Sequence, residues 1–230
     1  PFAQRLKGGA DWTASVAVRK KAVNLVLVSN LVGLGSDLPY PFGKAASDNL
    51  PLKFERRFID AGHDALHFDL GKLLAAQLLR DTAGEEAKIA KGNISFGGAP
   101  ATPTQAGVWV EGELEKLDAD LWRSLLFASE DEPPLLPLSG IQLRVKALDF
   151  LGRRLNNFKM NALAQQDAWQ ATVGSDELQG ELNWREREGG RLVARIGKLV
   201  YPEAAPPRGV QPAGGHDLAL PALDIVIDDM

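Results

Sequence analysis

Apolar and polar side chains alternate with a period of two along one stretch of this chain after another. That period admits little besides β-strands with one covered face. Leu178, Gly180, Leu182 and Trp184 fall on one phase, while Gln179, Glu181, Asn183 and Arg185 fall on the other. Leu50, Leu52 and Phe54 oppose Lys53, Glu55 and Arg57 in the same way. The pattern returns at Trp12–Val18, Ala65–Leu70, Val108–Leu114, Ile141–Val145, Phe158–Ala162 and Trp169–Val173. Turn-forming residues separate the runs: Gln166-Asp167 before Trp169, Ser175-Asp176 after Val173, and Gly189-Gly190 between two strands. Gly140–Tyr201 therefore reads as an uninterrupted meander. The expected fold class is mainly β, with antiparallel, strongly bent sheets forming a groove or a sandwich-like layer and one or two short helices.

One helix is expected at Asp118–Phe127. Asp118 suits the N-cap, Leu117 and Trp122 suit a hydrophobic staple, and Leu121, Trp122, Leu125 and Leu126 share one stripe. Lys72–Arg80 is ambiguous: its residues are helix formers at helical spacing, yet neighbouring strands can override that preference. Gly33–Asn49, Gly97–Gln105 and Ser129–Ser139 read as loops. The organisation expected is a β-sheet segment over 1–201 with a sub-boundary in the loop 129–139, a Pro/Gly-rich linker over 202–217, and the start of a further strand over 218–230. Pro1 at one end and Asp228-Asp229-Met230 at the other look like cuts from a longer chain.

Chemistry is harder to find. The 230 residues carry a net charge of −4, which argues against a nucleic-acid binder, and no cysteine, which removes disulfides and thiolate sites. His63 and His67, with Asp64 and Asp69 nearby, do not converge as metal ligands must, because His63 falls in a turn and His67 on a polar strand phase. Gly33-Leu34-Gly35 lacks the third glycine and following helix of a dinucleotide loop, and Gly43-Lys44 lacks the upstream glycine of a phosphate loop. Ser36, Ser47 and Ser95 have no nucleophile elbow around them. Glu111 and Glu113 share a strand face, as solvated faces commonly allow. No catalytic residue, metal site or cofactor is expected, and the chain reads as a non-enzyme. Trp12, Trp169 and Trp184 lie on apolar phases and suit core packing, while Trp109 lies on a polar phase.

What is abundant is aliphatic surface. Val23–Val28 and Leu73–Leu79 are apolar on both phases, so both faces of those strands should be covered. Such faces either form the centre of a sandwich or line a groove for acyl chains. The longest apolar run, Leu25–Val28, is far too short to span a bilayer.

Four phrases carry a resemblance. The stretch from Leu34 through Asp37-Leu38-Pro39 and Gly43-Lys44 to Leu50-Pro51-Leu52 resembles a loop of the YhdP family of AsmA-like envelope proteins. Gly180–Arg185 followed by Gly190–Ile196 is similar to that family's G-x-L-x-W-R hairpin. Leu117–Trp122 and Pro221–Ile225 with Asp228-Asp229 resemble two further elements, so the phrases run in order over nearly the whole chain. The resemblance implies an internal periplasmic fragment of a bacterial inner-membrane protein, built as a curved sheet with an apolar groove. Such proteins look like bridges that carry phospholipid toward the outer membrane and support its barrier. It also favours strand for Lys72–Arg80.

On that reading the partners are phospholipid acyl chains and neighbouring segments of the same parent chain, with no nucleic acid and no membrane span in the fragment. The groove candidates are Val16, Val18, Leu25, Leu27, Leu52, Phe54, Leu66, Phe68, Val108 and Val110, each on the apolar phase of its strand. The alternative is a closed β-sandwich scaffold that mediates protein contacts in the envelope.

Overall fold

The computed structural model describes residues 2–19, 22–126, 136–185, 190–206 and 222–227. It is 64% strand and 5% helix, the mainly β fold the alternation calls for. In chain order the strands are β1 (Leu6–Gly8), β2 (Trp12–Arg19), β3 (Ala22–Ser29), β4 (Leu34–Ser36), β5 (Leu52–Asp60), β6 (His63–Leu70), β7 (Leu74–Asp81), β8 (Lys88–Phe96) and β9 (Gly107–Asp118). The helix α1 (Ala119–Leu126) follows, then β10 (Leu138–Phe150), β11 (Arg153–Gln165), β12 (Ala168–Gly174), β13 (Leu178–Arg185), β14 (Arg191–Leu199) and β15 (Ala222–Ile227). Thirteen strands hydrogen-bond into one mixed sheet in near-sequential order, while β1 and β4 form a small antiparallel pair. The chain divides into two compact units, Pro1–Leu114 with Leu121–Leu143, and Glu115–Asp120 with Arg144–Met230.

The ambiguous segment Lys72–Arg80 is strand from Leu74 onward, with Lys72 and Leu73 in the turn before it. β7 pairs with β6 on one side and β8 on the other, so its backbone groups find partners along both edges. A few tenths of a kcal/mol of helix propensity per residue do not compete with that pairing. Ala75 and Ala76, on opposite faces, are both buried, as expected for a strand covered on two sides. The matching expectation for Val23–Val28 fails: Val23 and Val28 lie on opposite phases of β3 and are both exposed. β3 neighbours β2, every residue of which is exposed.

β8 pairs parallel with β9, and β14 with β15. Between β8 and β9 the loop 97–106 carries the chain back, because Gly107 pairs with Lys91 and Gly112 with Phe96. That return covers five residues of strand, roughly 17 Å, well within the reach of the loop. Lys91 Nζ donates to the Thr104 carbonyl at 3.3 Å and Trp109 Nε1 to the Ala106 carbonyl at 3.3 Å, which tie the loop to the strands it joins.

In the second unit, β11 to β14 pair antiparallel in sequence order, as the meander requires. Leu151 and Gly152, both at positive φ, turn β10 into β11, and the Asp120 carboxylate accepts both of their N–H groups at 2.9 and 3.1 Å. Most of the expected linker and of the loop 129–139, together with Phe127 and His216, lie outside the described residues.

Candidate functional site

The strand register of the first unit decides which side chains share a face, since directly paired residues point the same way. Ala14 of β2 pairs with Leu27, Leu27 with Phe54, Phe54 with Phe68, Phe68 with Ala76, Ala76 with Ile94, and Ile94 with Val110. This row crosses seven strands without a polar residue. The next row along the strands runs Val16, Leu25, Arg56, Leu66, Leu78, Gly92 and Val108. On the other side lie Ser29, Leu52, Leu70, Leu74 and Phe96. Val18, paired with Val23, lies one step beyond Val16.

All ten sequence-derived groove candidates therefore occupy one face. Lys53, Glu55, His67, Asp69 and Glu111 occupy the opposite one. The ten candidates leave out β7, whose Leu73–Leu79 run reads only as apolar on both phases, and β8, which does not read as a strand; these bring Leu74, Ala76, Leu78, Ile94 and Phe96 to the same face.

The face is not uniform. At β2 it is bare: Val16 and Val18 are 62% and 66% exposed, and Trp12, expected in a core, is exposed too. Leu25, Leu27, Leu52, Phe54, Leu66 and Phe68 are half-buried, as is Val110. Val108 is 0% exposed and is core. Gly92 makes this possible, because a Cβ there would stand 2.5 Å from Leu78 Cδ2 and 3.1 Å from Val108 Cγ2. Near Phe96 the chain covers itself. Phe42 lies edge-on to Phe96 with ring centroids 6.3 Å apart and edge-on to Trp122 at 5.6 Å. Trp122 Nε1 donates to the Tyr40 carbonyl at 2.9 Å, and Pro39, Pro41 and Leu125 are buried.

One charged cluster, Arg56, Asp64 and Arg80, is set into the apolar face. Asp64, 2% exposed, lies on the same phase as Leu66, Phe68 and Leu70. Its carboxylate accepts from Arg80 Nε at 2.8 Å and Nη2 at 2.7 Å, and from Arg56 Nε at 2.6 Å. The Arg80 hydrogen bond, helped by Arg56 and opposed by burial, holds the Asp64 carboxyl below the usual carboxylate range. A signal for this cluster was present: Arg56 and Asp64 carry opposite charges on the apolar phases of consecutive strands.

The second unit holds a comparable carboxylate. Asp149 accepts from Arg154 Nε at 2.8 Å and Nη2 at 2.9 Å, and Lys116 Nζ lies 3.4 Å away. Burial pushes this carboxyl up, but Arg154 and Lys116 together outweigh it and hold it low. A hollow of about 660 Å³ in this unit is lined by Asn161, Gln170, Thr172, Glu181, Asn183 and Arg195 among others, on the polar phase of β11–β14. The apolar phase there carries the buried Ala162, Val173, Ala194 and Ile196.

The remaining candidates are accounted for locally. Lys44 Nζ donates to the carbonyls of Leu31, Leu34 and Ala45, so it pins a loop and its donors point at backbone. His63 lies 2.8 Å from Asp60 Oδ1 at the β5–β6 turn, and His67 pairs with Glu55 on the polar face. Trp109 lies against Gly140, where a Cβ would come within 2.2 Å of its ring. Among the described residues no group of three or more His, Asp or Glu gathers as a metal site, and no helix is long and apolar enough to cross a membrane.

No curated protein and no solved structure matches the chain. The family model described as YhdP protein matches residues 1–230, the whole chain. With that match and the four phrases agreeing from end to end, the chain belongs to the YhdP family, envelope proteins of the AsmA-like kind.

Proposed function

We propose that this chain is a non-enzymatic, periplasmic segment that carries phospholipid acyl chains along the apolar face of its first unit, toward the outer membrane and in support of its barrier. The observation that carries this is the row from Ala14 to Val110, apolar on all seven strands. Strands about 4.8 Å apart give that row a path of roughly 29 Å, about twice the depth of one bilayer leaflet, at roughly 15 Å. A tail leaving a bilayer loses about 0.8 kcal/mol for each CH₂ that meets water. A half-covered apolar row returns part of that without a deep pocket, which suits a surface that must release what it binds. The scaffold alternative needs a second sheet of similar size over this face, whereas the second sheet among the described residues has two strands.

Photo-crosslinking residues at Leu27, Phe54 and Phe68, with controls at Lys53, Glu55 and Glu111, test the reading in bacterial cells. Covalently attached phospholipid is expected at the first three and not at the controls. Lipid at no position, or equal labelling of both faces, overturns it.

A further inference from the structure

We infer that Arg56 and Arg80, held by Asp64, form a site for the phosphate of a phospholipid head group at the margin of the apolar rows. The assignment rests on the lipid-carrying reading and adds where the polar end of the molecule sits.

Three observations carry it. The first is position. Arg56 stands in the row between Leu25 and Leu66, and Arg80 and Asp64 pair in the next row, one pleat repeat or roughly 7 Å further along the strands. A tail on the Leu27–Phe54–Phe68 row thus has cationic donors within the length of a glycerol head.

The second is surplus charge. Two guanidiniums share one carboxylate, leaving the cluster net positive. Arg80 alone grips Asp64 with two hydrogen bonds, which is what a buried carboxylate needs. Asp149 shows the same grip by one arginine, with only a lysine at 3.4 Å as its second cation. Arg56 adds a single hydrogen bond to that grip, and as the second cation it is a guanidinium fork where Asp149 has only a lysine.

The third is donor geometry. Arg56 uses Nε on Asp64, while its side chain is 45% exposed against 24% for Arg80 and 3% for Asp64. Its terminal nitrogens have no hydrogen-bond partner among the described residues, and Asp64 fixes the fork that carries them. A planar, oriented fork beside apolar surface matches a phosphate diester whose tails lie on that surface.

The test compares two probes with identical tails, dihexanoyl phosphatidylglycerol below its micellar concentration and dihexanoylglycerol, titrated into the chain by calorimetry. The chain is expected to bind the phosphate-bearing lipid about tenfold more tightly, the scale of one charge-assisted hydrogen bond pair. Arg56→Gln should abolish that preference and leave diglyceride affinity unchanged, and Arg56→Lys, which keeps the charge and loses the fork, should retain part of it. Leu27→Asp should weaken both probes. A phospholipid preference that survives Arg56→Gln in a folded variant overturns the head-group site while the apolar path stands. So does inorganic phosphate binding as tightly as the lipid and indifferent to Leu27→Asp. If neither probe binds the unaltered chain, the apolar path itself falls and takes this site with it.

Discussion

The two ends of the apolar face in the first unit are built from the same residue types and treated oppositely by the fold. At β2 and β3, Val16, Val18 and Val23 are bare; at β8 and β9, Val108 is fully buried and Phe96 lies under Phe42. Alternation is as clear in β2 as in β9, so pattern does not set exposure. What differs is the cover: α1 and the loop around Pro39–Phe42 supply an aromatic cluster over Phe96, tied by the Trp122–Tyr40 hydrogen bond, and Val108 closes over Gly92. An apolar phase thus marks surface suited to burial, and a different segment decides whether the chain itself covers it.

The sharpest way to break this contrast is to place the same charge at both ends. Val108→Asp puts an unpaired carboxylate where no water reaches and should cost about 4 kcal/mol or more. Val16→Asp should stay within about 1 kcal/mol, the scale of strand propensity on an exposed edge. Urea unfolding of the two variants reads the difference directly. Similar midpoints would mean that the β8–β9 end is not closed in solution.

The second experiment removes the cover. Phe42→Ala empties a half-buried aromatic site between Phe96 and Trp122 and should cost about 2–3 kcal/mol, below the range for a fully buried ring. It should also make the closed end resemble the bare one. A photo-crosslinker at Phe96, unlabelled by lipid in the unaltered chain, is expected to become labelled in this variant. A Phe96 position that stays unlabelled at unchanged stability would show that something other than Phe42 covers it.

Much of this arrangement was legible in the residues, and the exceptions have physical reasons. Phase within a strand is local, so the ten groove candidates could be assigned to one side of each strand before any neighbour was known. Sequential pairing then put them on one face. β8 escaped notice because Gly92 and Asn93 interrupt its alternation, although Gly92 is there to let Leu78 and Val108 meet. Its parallel pairing escaped too, because a loop of glycines and prolines over 97–106 looks the same whether it makes a hairpin or a return crossing. Exposure was the least legible property: Trp12 and Val23 share the chemistry of core residues and lack only a covering segment among the described residues. The ion cluster was readable in principle, for a charge on an apolar phase needs a partner, but charged residues were read as solvated faces.

The smallest effect expected concerns that cluster, which sits on β5–β7 between the two ends. Asp64 titrates below its ordinary value because Arg80 and Arg56 favour the charged form. A carboxyl depressed in the folded state binds its proton later than in the unfolded chain, where the value is about 3.9. Its stabilisation is therefore complete above about pH 4–5 and is lost as pH falls through the folded value. Asp149 has the same sign for the same reason, so both units should weaken in acid. The arginines of the first cluster are partly exposed, so solvent screens the gain and keeps it below that of the core substitutions. Asp64→Asn should lower stability at pH 7 and flatten its fall between about pH 5 and 2, as followed by urea midpoints across that range. Asp149→Asn should do likewise. Adding Asp64→Asn to the Phe42→Ala variant should produce the same flattening, because no residue is shared between the aromatic cover and the ion cluster. An acid limb unchanged by Asp64→Asn would show that the carboxylate is not held low, and the strands between the two ends would then owe their register to the apolar rows alone.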